Sequence, residues 1–452
     1  MKESPQNSLV YSRTPKLACT LMSMLALAAG SLSAADLYLP NSSVGGTWDY
    51  TSLNWATTSG GSADTAWTNG NNVVIEFTGN SAFKLGESDL QAADFTGAAG
   101  RIIYLQGIAG EQNQLEVTGA GSGEVHVWGT SGSGATNTLK LSGSTGWDGT
   151  LKLRDGSHNR IVLSNASAFS TDTTLEFVSG GLLLLDAAIG GQTTTLGQLS
   201  GTSGAISANY GAADAGVKTL RVEQSTDTSF SGQFAAGTSG RELALSKAGT
   251  GSLTLTGALN HGGGVTAEAG ELVITSAATT SGQGDYVVSN GATLRVDNTI
   301  NFGAGATLTV EAGGALAPGS EASVGTLTLD GTSGAGLVFG DGATVDFRLG
   351  VSQDEIILLG SSMVGDALGG EDSIIFNFIN EGMVEGDFYD LITFGDTPAI
   401  ALSAFTSNLE GTFQYSGNIL QFGYSVIPEP SSSVLMLGAL AGGMVLLRRR
   451  TR

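Results

Sequence analysis

Residues 245–257 read Leu245-Ser246-Lys247-Ala248-Gly249-Thr250-Gly251-Ser252-Leu253-Thr254-Leu255-Thr256-Gly257, and their second half alternates apolar and polar side chains up to a closing glycine. A period of two places every second side chain on one face of a strand, so half of such a segment can be buried. The pattern returns in Ala292-Thr293-Leu294-Arg295-Val296, Ala306-Thr307-Leu308-Thr309-Val310 and Gly325-Thr326-Leu327-Thr328-Leu329. Successive leading leucines or valines fall at Leu253, Leu272, Leu294, Leu308, Leu327 and Val345. Runs this short cannot hide their apolar side singly, so an imperfect repeat near twenty residues predicts stacked coils. Periodicity alone leaves two all-β arrangements open, a solenoid of parallel strands and an antiparallel β-sandwich.

The composition agrees with a folded, turn-rich β protein. Glycine accounts for 69 of 452 residues, about twice the usual share of about 7%, and it supplies turns because it visits positive φ without steric cost. Charged residues are only 13% and apolar ones 41%, the reverse of a chain too polar to fold. The formal charge is −22, and seven of the 19 cationic residues lie at the ends: Lys2, Arg13, Lys16, Arg448, Arg449, Arg450 and Arg452. The interior keeps 12 cationic and 39 acidic residues and stands near −27. Such a surface repels nucleic acid and anionic lipid. The lone cysteine, Cys19, lies in the leader, so a processed chain has no disulfide.

Both ends read as sorting signals. Lys2, Arg13 and Lys16 precede the apolar stretch Leu17 to Ala29 and the small residues Ser33-Ala34-Ala35. This order predicts a secretory leader over residues 1–35, cut by signal peptidase after Ala35. At the other end, Pro428-Glu429-Pro430 is followed by an apolar run from Val434 to Leu447 and by Arg448-Arg449-Arg450. Fourteen helical residues would span about 21 Å, short of the roughly 30 Å of a bilayer core. The run is thus a marginal anchor, with the arginines expected on the cytoplasmic side. These residues resemble the PEP-CTERM sorting signal of Gram-negative bacteria over 427–452. The resemblance implies recognition by a membrane exosortase, cleavage at or near Pro428-Glu429-Pro430, and passage through the inner membrane to the cell surface or matrix. It also implies association with extracellular polysaccharide. The alternative is a plain anchor that stays in place.

Residues 245–257, with Gly262-Gly263-Gly264-Val265-Thr266-Ala267-Glu268-Ala269-Gly270-Glu271-Leu272-Val273-Ile274, resemble the autotransporter-associated β-strand repeat. That resemblance implies a right-handed parallel β-helix. Too few residues lie between Val345 and Pro428 for an outer-membrane barrel.

The expected organisation is a solenoid over 36–343, a small C-terminal β-subdomain over 344–426, and the sorting tail. Trp48, Trp55 and Trp67 crowd the start of the solenoid. They either plug its open end or form a platform for sugar stacking. No catalytic, cofactor or metal constellation stands out. His126, His158 and His261 lack ligand spacing to one another, and no cofactor is implied. The densest polar stretch, Asp148, Lys152, Arg154, Asp155 and His158, is where a polysaccharide lyase or hydrolase would place its groups. A charged turn on a solvent edge is the simpler reading. Three functional expectations result: a structural or adhesive matrix protein, a carbohydrate-binding module, and a polysaccharide-degrading enzyme.

Overall fold

The computed structural model describes residues 34–425 apart from short stretches at 41–45, 77–78, 99, 109, 130–134, 157, 212–215, 238–240, 331–335, 360–363, 366–372 and 399. The leader up to residue 33 lies outside these residues. So do Pro428, Glu429, Pro430, Val434 to Leu447, Arg448, Arg449 and Arg450. Among the described residues, no helix is long and apolar enough to cross a membrane.

From Asp36 onward the chain winds into a parallel β-solenoid. Each coil lays one strand on a first face and one on a second. Face one stacks Asp36–Leu39, Asn71–Ile75, Leu90–Thr96, Gln112–Val117, Thr136–Leu141, Asn159–Leu163 and Leu182–Asp186 in parallel. Face two stacks Ser81–Leu85, Ile102–Gly107, Glu124–Trp128, Trp147–Leu153, Thr173–Phe177 and Gln198–Gly201. From Thr193–Leu196 a third face joins and runs through an 8-stranded ladder to Val364–Gly365. Face one continues past Thr279–Thr280 into Thr299–Asn301, where the Asn301 side chain donates to the Thr280 carbonyl at 3.0 Å.

The alternating pattern explains the core. Leu253, Leu272, Leu294, Leu316, Val345 and Phe376 occupy one register of face two and are all buried. Two positions of the sequence series belong elsewhere. Leu308 stacks between Tyr286 and Leu337 on face three, and Leu327 stacks against Ile356 on face one. Every strand of a coil carries the same two-residue pattern, so the pattern recurs at intervals shorter than the coil itself.

The antiparallel sandwich is overturned by the strand directions. Among the described residues, antiparallel pairing is confined to the two ends. At the N-terminus it consists of the bridges Tyr38–Ala56 and Trp55–Thr65. At the C-terminus Ile419–Tyr424 pairs with both Phe388–Thr393 and Gly411–Ser416. These hairpin elements cover ladder edges that would otherwise invite pairing with another chain. No ladder breaks at 344, where the sequence suggests a boundary. Thr344–Gly350 pairs in parallel with Ala315–Pro318 before it and Ile374–Glu381 after it.

Each end is plugged by aromatic rings. Trp48, Trp55 and Trp67 lie 4.9 Å from one another between ring centroids, with Phe83 beneath Trp48 at 6.0 Å. At the far end Phe376, Phe378, Phe405, Phe413 and Phe422 cluster, with Phe378 and Phe422 4.4 Å apart.

Some interior positions are polar. Lys247 is fully buried, and its ammonium donates to the carbonyls of Ala248, Gly249 and Ala269 at 2.8, 3.1 and 3.2 Å. His261 is also fully buried, 5.3 Å from the Phe234 ring. Burial pushes its pKa down to about 4, and the Gly264 backbone opposes this only in part. Between pH 6.5 and 4 the unfolded chain therefore binds a proton that the folded chain refuses, so this site loses stability as pH falls. The full shift corresponds to about 3 kcal/mol. Urea unfolding of the wild type should weaken between pH 7 and 4.5 relative to His261→Leu. Parallel pH profiles of the two proteins would contradict the assignment.

Candidate functional site

The period of two also decides which side chains face outward. On face two, Tyr104, His126, Lys152 and Glu176 occupy one outward register on four successive coils. Two residues earlier on its strand stands Glu124, and two residues later stand Trp128 and Arg154. The Arg154 backbone N–H donates to the Val127 carbonyl at 3.1 Å, which sets Arg154 beside Trp128. Neighbouring strands lie about 4.8 Å apart, so side chains distant in sequence form one continuous patch.

The charges in this patch are engaged with one another. Lys152 bridges Glu124 at 3.3 Å and Glu176 at 2.9 Å. His126 Nε2 lies 2.8 Å from the same Glu124 carboxylate. Burial alone would raise the Glu124 carboxyl, but the bonds from His126 and Lys152 hold it below the usual carboxylate range. Burial pushes His126 below the usual histidine range despite Glu124, so its ring is neutral near pH 7. Tyr104 packs edge-on against His126 at 4.9 Å and against Trp128 at 5.7 Å.

The sequence-predicted residues separate accordingly. Lys152 and Arg154 belong to this patch. Asp148 points outward on the same strand but four residues before Lys152, roughly 13 Å away along the chain. Asp155 sits in the following turn with a left-handed backbone, φ 56°, held by its N–H donating to Ser179 Oγ at 3.0 Å. His158 lies past that turn, on the approach to face one, where its carbonyl accepts from the Asn137 N–H at 2.9 Å. The five residues therefore do not converge on one point.

Of the two readings of Trp48, Trp55 and Trp67, a plug or a sugar platform, the platform is not present. Their relative exposures are 1%, 0% and 2%, so they offer no ring face to a ligand. They pack on Phe83 at the N-terminal edge of the described ladders. Ala35 directly precedes the first strand, Asp36–Leu39.

Further along face two, a shallow depression of about 570 Å³ is lined by Ser252, Glu271, Thr293, Arg295 and Glu321 among others. A second, of about 350 Å³, shares Arg295 and Glu321 with it and reaches Asp354. Arg295 is paired with Glu271 at 2.8 Å, and Arg348 is paired with Glu381. Burial pushes Asp354 up to about 6, although it accepts from the Arg348 and Gly325 N–H groups at 2.6 and 2.7 Å. The first bond closes the turn at 351–354 on itself, and the second ties it to the preceding coil. No protein-family model matches this sequence, and no curated protein is detectably similar to it.

Proposed function

We propose that the protein is an exported structural or adhesive solenoid, sorted through its tail by an exosortase and associated with extracellular polysaccharide. One observation carries the reading. The two processing points predicted from sequence flank the folded body and do not cut it. Among the described residues the first strand opens at Asp36, immediately after Ala35, and the last closes at Tyr424, ahead of Pro428-Glu429-Pro430. Removal of leader and tail would leave every ladder among the described residues intact.

The outer surface supports a scaffold more than a reaction centre. Several of its cations tie successive coils together: Lys140 to Glu116, Lys152 to Glu124 and Glu176, Arg295 to Glu271, and Arg348 to Glu381. Lys152, half of the enzymatic candidate that remains on face two, is among them. Intact-mass analysis of the protein from hosts with and without the sorting enzyme tests the proposal. The expected product begins at Asp36 and, only in the competent host, ends near Pro428 to Pro430. An unshortened C-terminus in that host overturns exosortase processing.

A further inference from the structure

Four of the five tryptophans, Trp48, Trp55, Trp67 and Trp147, are buried. Trp128 alone among the tryptophans is partly exposed, and the partly exposed Tyr104 stands beside it one coil earlier. Their rings meet at 65°, forming a corner on the outer side of face two. Around this corner lie Glu124, Glu176, Lys152 and Arg154, two acids and two bases whose charges cancel. Two buried polar atoms here, His126 Nδ1 and Arg154 Nε, have no hydrogen-bond partner among the described residues.

We infer that this patch binds a neutral, hydroxyl-rich pyranose chain laid across the coils, with sugar C–H faces against Trp128 and Tyr104. A pyranose ring presents an apolar C–H face and a rim of hydroxyls, which suits aromatic rings bordered by hydrogen-bonding groups. The local charges balance, so they can exchange hydrogen bonds with hydroxyls without demanding a counter-charge. The surrounding body, with its large excess of acid, repels a polyanion at longer range. A uronate polymer is therefore the wrong ligand and a neutral glucan the right one. The depressions near Arg295 are a weaker candidate, because no exposed aromatic ring lines them. This inference rests on the polysaccharide association proposed above and names where and with what chemistry it occurs.

The test is electrophoresis of the purified mature protein in gels containing laminarin, dextran or hydroxyethyl cellulose, with alginate as the anionic probe. Retardation by a neutral glucan is expected, weakened about tenfold or more in Trp128→Ala and in Tyr104→Ala, the loss typical of a binding hot spot. Trp128→Phe keeps ring and fold, retains most of the binding, and removes the glucan-induced change in tryptophan fluorescence. Retardation unchanged in both alanine variants removes this site while leaving polysaccharide association standing. Stronger retardation by alginate overturns the neutral ligand class. No retardation by any of the probes overturns the site and counts against polysaccharide association as well, while tail processing is judged separately by mass.

Discussion

Trp48→Ala is expected to cost about 3–5 kcal/mol, the range for removing a large buried aromatic side chain, and to loosen the N-terminal coils first. Trp48 is 1% exposed and touches Trp55, Trp67 and Phe83. A solenoid is held by contacts between neighbouring coils, and its first coil has a neighbour on one side only. The three indoles supply the missing side. Trp48 Nε1 is buried without a partner among the described residues, so Trp48→Phe removes less ring but also an unsatisfied donor, and should cost less. Hydrogen exchange resolved along the chain checks this. Protection should fall across Asp36–Leu39, Asn71–Ile75 and Ser81–Leu85, while Gly270–Ile274 and Ala292–Val296 stay protected. Uniform loss along the rod would show that the cap is not a local device.

That distinction follows what a sequence can disclose. The alternation around Leu253 is local, so strand, face and buried residue could all be read from a few neighbouring letters. The crowding of Trp48, Trp55 and Trp67 was equally local, and it admitted the plug. Coil length was harder to read, because Leu308 and Leu327 repeat the local pattern on other faces. The outer patch was hardest. Tyr104 and His126 are 22 residues apart and His126 and Lys152 26, with the register alone making them neighbours. Lys152 and Arg154 stand in a stretch of high charge density, but nothing next to Trp128 in the sequence distinguishes it from a core tryptophan. The signal that could have found it is its place in Glu124-Val125-His126-Val127-Trp128, where Val125 and Val127 take the inward positions.

The stacked arrangement also explains a part of the glycine content that turns do not. At Gly257 the backbone φ is not in the left-handed region, yet a Cβ there would stand 1.9 Å from the Gly232 carbonyl oxygen and 2.5 Å from that of Ser231. Both obstacles are backbone atoms of the preceding coil, so no side-chain rotation can clear them. Gly257→Ala must push two coils apart where they are otherwise held at ladder spacing. The expected loss is about 3 kcal/mol or more, the upper end of overpacking costs. Gly282 provides the contrast. It has φ +61° and open space around its would-be Cβ, so Gly282→Ala meets only the strain of a left-handed residue, about 1–2 kcal/mol. Urea unfolding of the two variants beside the wild type gives the order directly. If Gly282→Ala proved the more damaging, glycine would serve this fold chiefly through turn conformation, and the close approach of coil on coil would not be what requires it at Gly257.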